Sequence, residues 1–263
     1  MITSGSNAKV KQVVQWQNKS KERREAGIFL TEGFKLFQEV PKEYVKEVYL
    51  TEDALVRLES DSASKDKLRC TGYETVSGEI FQKMSDTRTP QGILCVVRRP
   101  EYTLNQLLDT PAPLLVVLES LQDPGNLGTI LRTGEGAGIT GVILGKETVD
   151  IYNPKTIRAT MGSIFRVPFV CVEDLAQTVL AMQSRGVRTY AAHLSGKDFY
   201  ESFSYLKGTA FLIGNEGNGL SSEITKLADG LLRIPMEGCV ESLNAAVAAA
   251  LLMYEAHRQR RAG

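Results

Sequence analysis

Histidine and cysteine are scarce in this 263-residue chain, which holds two of the first and four of the second. His193 and His257 are too few for a histidine-based metal centre. Cys70, Cys95, Cys171 and Cys239 are scattered with no Cys-x-x-Cys pair, so neither a zinc site nor a disulfide framework is expected. Cys95 and Cys171 sit inside apolar, strand-like runs, where cysteine serves as a small hydrophobe. No apolar run approaches the roughly 20 residues that a membrane-spanning helix needs. The first seven residues do not combine a charged start with an apolar core, so no secretory signal is expected and the cytoplasm is the expected location. Gly-x-Gly-x-x-Gly is missing after the strand-like run ending at Leu118, which argues against a nucleotide-dependent oxidoreductase.

A net charge is lacking too, since 31 Lys/Arg face 31 Asp/Glu. The balance is uneven along the chain. Residues 1–100 hold 17 bases against 14 acids, and residues 101–263 hold the reverse excess. Within residues 1–24 stand six bases and a single acid, Glu22. Such an arm suits a polyanionic partner or, equally, a solvated helix face.

With 43% apolar and 24% charged residues, the rest is an ordinary globular composition. Residues 1–100 alternate short helical and strand-like patterns: helices near 9–24, 32–40, 52–58 and 77–84, and strands at 28–30, 45–50, 68–70 and 93–97. Asp61–Lys67 is polar and loop-like. Pro100, Pro111 and Pro113 mark a linker over 101–112. From 113 onwards, six apolar runs alternate with helical stretches. Leu114–Leu118 is continuous in the manner of a strand covered on both faces. The expected fold class is α/β: a mostly parallel sheet with helices on both faces over 113–263, preceded by a smaller α/β domain over 1–100. A last helix from about 243 to 259 places Leu243, Ala246, Val247, Ala250, Leu251 and Tyr254 on one stripe.

Three Gly- and Asn-rich segments follow strand-like runs in the second part: 123–132, 213–220 and 234–244. Ligands of open α/β sheets gather at strand ends of this kind, so the three suggest one composite site. In the first, Asn126 can cap the following helix through its side-chain oxygen. Arg132 lies less than two turns further on. Gly134 and Gly136 near the end of that helix suit close packing, because glycine there costs about 1 kcal/mol relative to alanine. The second segment sets three glycines around Asn215 and Glu216, presenting backbone N–H groups to a ligand. In the third, either Ser242 or Asn244 caps the last helix, whose N-terminus suits a carboxylate or phosphate.

Asp-x-x-Asn-x-Gly-x-x-x-Arg at 123–132, Gly-Asn-Glu-Gly-x-Gly-Leu at 214–220 and Ile-Pro-Met-x-Gly-x-Val-x-Ser-Leu-Asn at 234–244 resemble, in order, the three motifs of the SpoU/TrmH RNA ribose 2′-O-methyltransferases. The likeness spans about 113–258. Gly134 stands where many members have alanine, and Ala245-Ala246 where Val-Ser is usual. Residues 1–100 resemble the substrate-binding domain often fused in front, similar to ribosomal protein L30e, on Ser4-x-x-Asn7, the basic stretch at 21–24, Glu32-Gly33 and Gln91-Gly92-Ile93.

The resemblance implies S-adenosylmethionine as cofactor, held by backbone groups in a deep trefoil knot threaded near 214–216 and 234–244. It implies Leu194, Gly214, Asn215, Gly219, Ile234, Met236 and Leu243 against the cofactor. It implies Arg132 as the residue reaching the reacting ribose, acting as base or as stabiliser of the developing alkoxide. Asn126, Glu216, Ser242 and Asn244 would orient Arg132 and the ribose, with Glu216 paired to Arg132. Lys21, Arg23 and Arg24 would bind RNA, ribosomal more readily than transfer RNA. The family further implies a homodimer covering the last helix and the helix of Arg132; no metal is expected, on the histidine and cysteine pattern above. The alternative function is an RNA-binding protein of the same fold without catalysis; the presence of all five motif side chains favours the enzyme.

Overall fold

Leu114–Leu118 and Thr209–Ile213 are buried along their whole length and pair side by side in parallel. Their Val, Leu, Ile and Phe side chains are covered from both faces, and the remaining elements of that part of the chain supply the cover. The structure is a computed structural model, and it describes residues 1–240 and 242–262; Glu241, inside the third motif, and Gly263 lie outside the described residues.

In chain order the first stretch carries α1 (Ala8–Asn18), α2 (Ser20–Glu25), β1 (Ile28–Glu32), α3 (Phe34–Glu39), β2 (Val45–Leu50), α4 (Glu52–Glu59), α5 (Ser62–Thr71), β3 (Glu74–Thr75), α6 (Gly78–Met84) and β4 (Ile93–Arg98). Next come α7 (Leu104–Leu108), β5 (Leu114–Leu118), α8 (Pro124–Ala137) and β6 (Gly141–Gly145), then α9 (Pro154–Thr160). The remainder holds β7 (Phe169–Val172), α10 (Leu175–Ser184), β8 (Arg188–Ala192), β9 (Asp198–Phe199), β10 (Thr209–Ile213), α11 (Ser222–Leu227), β11 (Gly230–Arg233) and α12 (Ala245–Ala262).

These elements form two compact units. One is Met1–Glu101 together with Asp150–Phe165; the other is Tyr102–Val149 together with Arg166–Gly263. The segment Asp150–Phe165, read from the sequence as part of the second domain, thus belongs with the first unit. Its anchors there are aromatic: the Phe29 ring lies 4.8 Å from Tyr152 and 6.0 Å from Phe165.

The first unit is a four-stranded mixed sheet ordered β1-β4-β2-β3. Val10, Val13 and Trp16 of α1 meet Ile28, Leu30, Leu94 and Val96 on one face, with Ile80, Phe81 and Met84 of α6. The strand expected at Leu68-Arg69-Cys70 is instead part of the last turn of α5, and Asp61–Lys67 is no loop. Asp61 accepts a hydrogen bond from the Ser64 N–H and starts this helix, and within it Ser64 and Leu68, four apart, are buried. A single buried leucine in a three-residue run carries no period, which is why the run reads as a strand in isolation.

The second unit is a seven-stranded sheet ordered β7-β6-β5-β10-β8-β11-β9, and every pairing recorded in it is parallel. Leu107 and Leu108 of α7, Val179 and Met182 of α10 and Ile224 of α11 cover one face. On the other face α12 packs on β10 and β5 and against α8.

The apolar stripe expected on α12 is not the one that faces the sheet. The buried row is Ala245, Ala246, Ala249, Leu252, Met253 and Ala256. Of the expected stripe only Ala246 is fully buried, while Val247, Leu251 and Tyr254 are exposed. The helix is apolar on two sides, and the small alanines allow the closer approach to the sheet.

Candidate functional site

All strands of the second unit run parallel, so their C-terminal ends lie along one edge of the sheet. The three motif segments leave from β5, β10 and β11. β10 follows β5 in space but not in sequence, a switch point of the kind that opens a crevice beside it.

Asp123, not Asn126, caps α8: its carboxylate accepts the Asn126 N–H at 2.8 Å, and Pro124 occupies the first turn. The Asn126 side chain is thereby free for tertiary bonds. Its Nδ2 donates to Glu216 Oε1 at 3.0 Å, and its Oδ1 accepts from Asn244 Nδ2 at 2.9 Å. Asn244 Oδ1 in turn accepts the Ala246 N–H at 2.9 Å and so caps α12, which settles the choice between Ser242 and Asn244. One line of hydrogen bonds, Asn244 to Asn126 to Glu216, therefore joins the third motif to the first and the first to the second.

Glu216 ends that line. Its two oxygens also accept the Gln122 and Asp123 N–H groups, each at 3.0 Å. Partial burial pushes its carboxyl up, but the Gln122 N–H, the Asn126 amide and the Asp123 N–H together hold it below the ordinary carboxylate range. The expected pairing of Glu216 with Arg132 is not made within the chain. Arg132 is exposed, stands about 9 Å along α8 from Asn126 at the helical rise, and pairs with no described residue.

The loop around Glu216 is closed on itself. Asn215 and Gly219 exchange two backbone hydrogen bonds of 3.0 and 2.9 Å, and Asn215 Oδ1 accepts the Gly217 and Asn218 N–H groups. Asn215 Nδ2 donates to the Ser120 carbonyl at 2.9 Å and ties the loop to the end of β5. Only glycine fits at 214, where a Cβ would lie 2.1 Å from the Gly219 carbonyl carbon and 2.2 Å from the Leu220 nitrogen.

Beside this loop is a cavity of about 320 Å³. Leu194, Gly214, Asn215, Gly219, Ile234, Met236 and Leu243 all line it, as do Glu216 and Ser242. The structure thus brings the seven expected cofactor residues together with two of the five expected catalytic ones. Ser242 is exposed and hydrogen-bonds no described residue. The sequence pointed to neither His193 nor Arg233, which also line the cavity, nor to Gln122, whose side chain bridges the Ser120 and Glu147 carbonyls. Adjacency to Leu194 and Ile234 was the one signal for the first two.

The Gly-rich end of α8 is explained by packing. A Cβ at Gly134 would lie 2.3 Å from Ile139 Cδ1 and 3.4 Å from Met253 Sδ of α12, and one at Gly136 would lie 3.0 Å from the Tyr254 hydroxyl.

The basic arm of the first unit divides. Arg23 is buried: its Nη1 donates to the Trp16 carbonyl at 2.6 Å, and its Nη2 pairs with Asp150 at 3.1 Å. It is a brace between α1, α2 and the returning segment, so it leaves the expected RNA-binding set. Lys21 is exposed but stands 3.8 Å from Glu25. Arg24 is exposed and has no carboxylate partner among the described residues.

A parallel sheet whose C-terminal edge gathers polar glycine loops around a partly apolar cavity is a site for a small organic cofactor. The chain belongs to the SpoU rRNA Methylase family, which matches residues 113–254, and residues 7–95 match the MRM3-like substrate binding domain. The 23S rRNA (guanosine(2553)-2′-O)-methyltransferase RlmP of Bacillus subtilis is 35% identical, over 96% of this chain and 97% of its own. Among solved structures, the AdoMet-bound rRNA methyltransferase of Sinorhizobium meliloti is 30% identical with a TM-score of 0.86, covering 98% of this chain and 97% of that one. The SpoU methyltransferase AviRb of Streptomyces viridochromogenes, solved also with AdoMet, is 28% identical in that complex, with a TM-score of 0.85, covering 98% and 99%.

Proposed function

We propose that the protein transfers a methyl group from S-adenosylmethionine to a ribose 2′-hydroxyl of RNA, ribosomal RNA in preference to transfer RNA. The observation that carries this reading is the bonded line Asn244–Asn126–Glu216, which joins all three motifs at the rim of one cavity. The RlmP relative supports the ribosomal preference. A cytoplasmic location is part of this reading, in keeping with a bacterial relative that acts on ribosomal RNA.

The cavity fits the cofactor. Its volume falls in the range of small-ligand pockets, Ile213, Leu232, Ile234 and Leu243 offer an apolar bed for a purine, and the 214–219 loop offers amides for polar edges. Residues 214–216 and 234–244 are the segments that a trefoil knot would thread. When bound, the cofactor supplies an electrophilic methyl group. Glu216, by holding Gln122, Asp123 and Asn126, fixes the start of α8 and with it the direction in which Arg132 is presented. A guanidinium stays protonated, so Arg132 would stabilise the alkoxide developing on the 2′-oxygen and hold the neighbouring phosphate while the hydroxyl proton passes to solvent water; as the O–CH3 bond forms the S–CH3 bond breaks, and the sulfonium leaves as a neutral thioether.

The exposed row Val247, Leu251 and Tyr254 lines a groove of about 480 Å³ with Thr129 of α8. A second copy of this chain covers it, forming a homodimer in which the two helices of Arg132 come near each other's sites.

The test supplies S-adenosylmethionine labelled in its methyl group, with unmodified 23S rRNA transcript and with bulk tRNA in separate reactions. Label on the transcript is the expected result. Label on tRNA alone overturns the ribosomal preference, and label on neither overturns the reading.

A further inference from the structure

The first unit carries a cationic cluster that its own acids leave mostly uncompensated. Arg99 follows β4, and its N–H donates to the Gly27 carbonyl while the Gly27 N–H donates to the Arg24 carbonyl at 3.1 Å. Arg24, Gly27 and Arg99 are thus bonded neighbours at the end of the sheet where β1 begins. The Arg99 guanidinium is fixed rather than floppy: Nε donates to the Ile28 carbonyl at 3.0 Å, and its carbon lies 4.2 Å from the centre of the Tyr152 ring. Its two terminal nitrogens have no partner among the described residues. Burial lowers its hold on the proton, and the charges of Arg23 and Arg24 act in the same direction against Tyr152 and Asp150.

Asp150 is the carboxylate within this group, and it is already engaged. It pairs with the buried Arg23 and also accepts the Tyr152 N–H at 3.0 Å. Two guanidinium groups, Arg24 and Arg99, therefore have no carboxylate partner among the described residues, and one of them is preorganised on an aromatic face. A planar guanidinium held in this way presents its outer edge for bidentate contact with phosphate at small entropic cost.

Given the RNA reading above, on which this rests, we propose that Arg24 and Arg99 together form a phosphate anchor by which the first unit grips the ribose–phosphate backbone of its substrate. The sequence pointed to Lys21, Arg23 and Arg24; the fold removes Arg23, which is buried and paired, and adds Arg99 from 75 positions further along the chain. Contacts of this class position an RNA without reading its bases.

The experiment measures binding of the full-length protein to unmodified 23S rRNA transcript across a range of salt concentrations. Variants are Arg24→Gln, Arg99→Gln, the double variant, Arg99→Lys, and Arg69→Gln on exposed α5 as a charge control. Each phosphate contact contributes roughly 0.7 to 0.9 to the slope of log affinity against log salt. The anchor predicts a slope flattened by about 1.4 to 1.8 in the double variant, near wild-type slopes for Arg99→Lys and Arg69→Gln, and unchanged affinity for S-adenosylmethionine throughout. A double variant with the wild-type slope overturns the anchor and leaves the methyltransferase reading standing. If Arg99→Gln unfolds by circular dichroism, Arg24→Gln decides alone: its side chain is exposed, and a wild-type slope there overturns the anchor. A wild-type protein with no salt-dependent affinity for the transcript overturns the RNA reading and the anchor with it.

Discussion

The rim of the cavity in the second unit and the arginine cluster of the first are both rich in polar groups, yet they are finished to different degrees. At the rim, Glu216 has three donors, Asn126 bonds on both sides, and Asn215 is tied at three points. At the cluster, Arg24 and the outer nitrogens of Arg99 have no partner among the described residues. A site built for a small cofactor is preorganised by its own chain, because each unmade bond there would weaken a ligand that offers few contacts of its own. A site for a polyanion leaves cations open, since the ligand brings the counter-charges. Arg132 belongs to the second kind although it sits in the unit of the first: it is an exposed charge, without a partner among the described residues, on the helix that Glu216 holds in place.

That contrast can be broken from either side. The largest effect is expected at Gly214. Gly214→Ala places a Cβ about 2 Å from the Gly219 backbone, and no flexible side chain is there to yield; calorimetry should find cofactor binding abolished. Arg132→Ala should slow methyl transfer by about 10² to 10³, with cofactor affinity within twofold of wild type. Loss of cofactor affinity in that variant would place Arg132 among the finished groups of the rim and collapse the comparison.

Leu251→Glu puts a charge on the exposed row of α12 and should convert the proposed dimer to a monomer in sedimentation experiments, with transfer lost alongside. A monomeric wild type would remove the second copy from the account.

The smallest effect is expected at Glu216. Glu216→Gln keeps the size but turns one acceptor into a donor facing backbone N–H groups, and cofactor affinity should fall by about tenfold. The same group sets a pH dependence. Its carboxyl is held below the ordinary value of 4.5 in the folded chain, so its contribution is present above that value and is lost as pH falls through the lower, folded one. Cofactor affinity should therefore be flat from neutrality down to about pH 4.5 as far as Glu216 is concerned, and a loss near pH 6 would point to another group.

How much of this was written plainly in the chain differs between the same two regions. Leu114–Leu118 and Thr209–Ile213 are continuous apolar runs, and such runs read as strands covered on both faces. Once the sheet is parallel, the loops that follow its strands must share an edge, so Asn126, Glu216 and Asn244 were legible as one site. Their bonding was not. Asn126 follows Asp123 by three residues and either could cap α8; the fold decides because Glu216, 90 positions away, needs the Asn126 amide. The basic arm was legible as charge but not as function. Arg23 finds its acid at Asp150, 127 positions away, in a segment that the sequence assigned to the other domain. Long-range pairing of this kind leaves no periodic trace. The α12 stripe failed for a different reason: with alanine, leucine and methionine around most of the helix, more than one apolar face exists, and packing volume chooses between them.

The most direct test concerns where the methyl group goes. RNA labelled by the wild-type protein is digested with alkali, which needs a free 2′-hydroxyl to cleave each phosphodiester. The label is expected in alkali-resistant dinucleotides, the mark of a methylated 2′-oxygen. Recovery of the label in single nucleotides would place the methyl on a base and contradict transfer to the ribose.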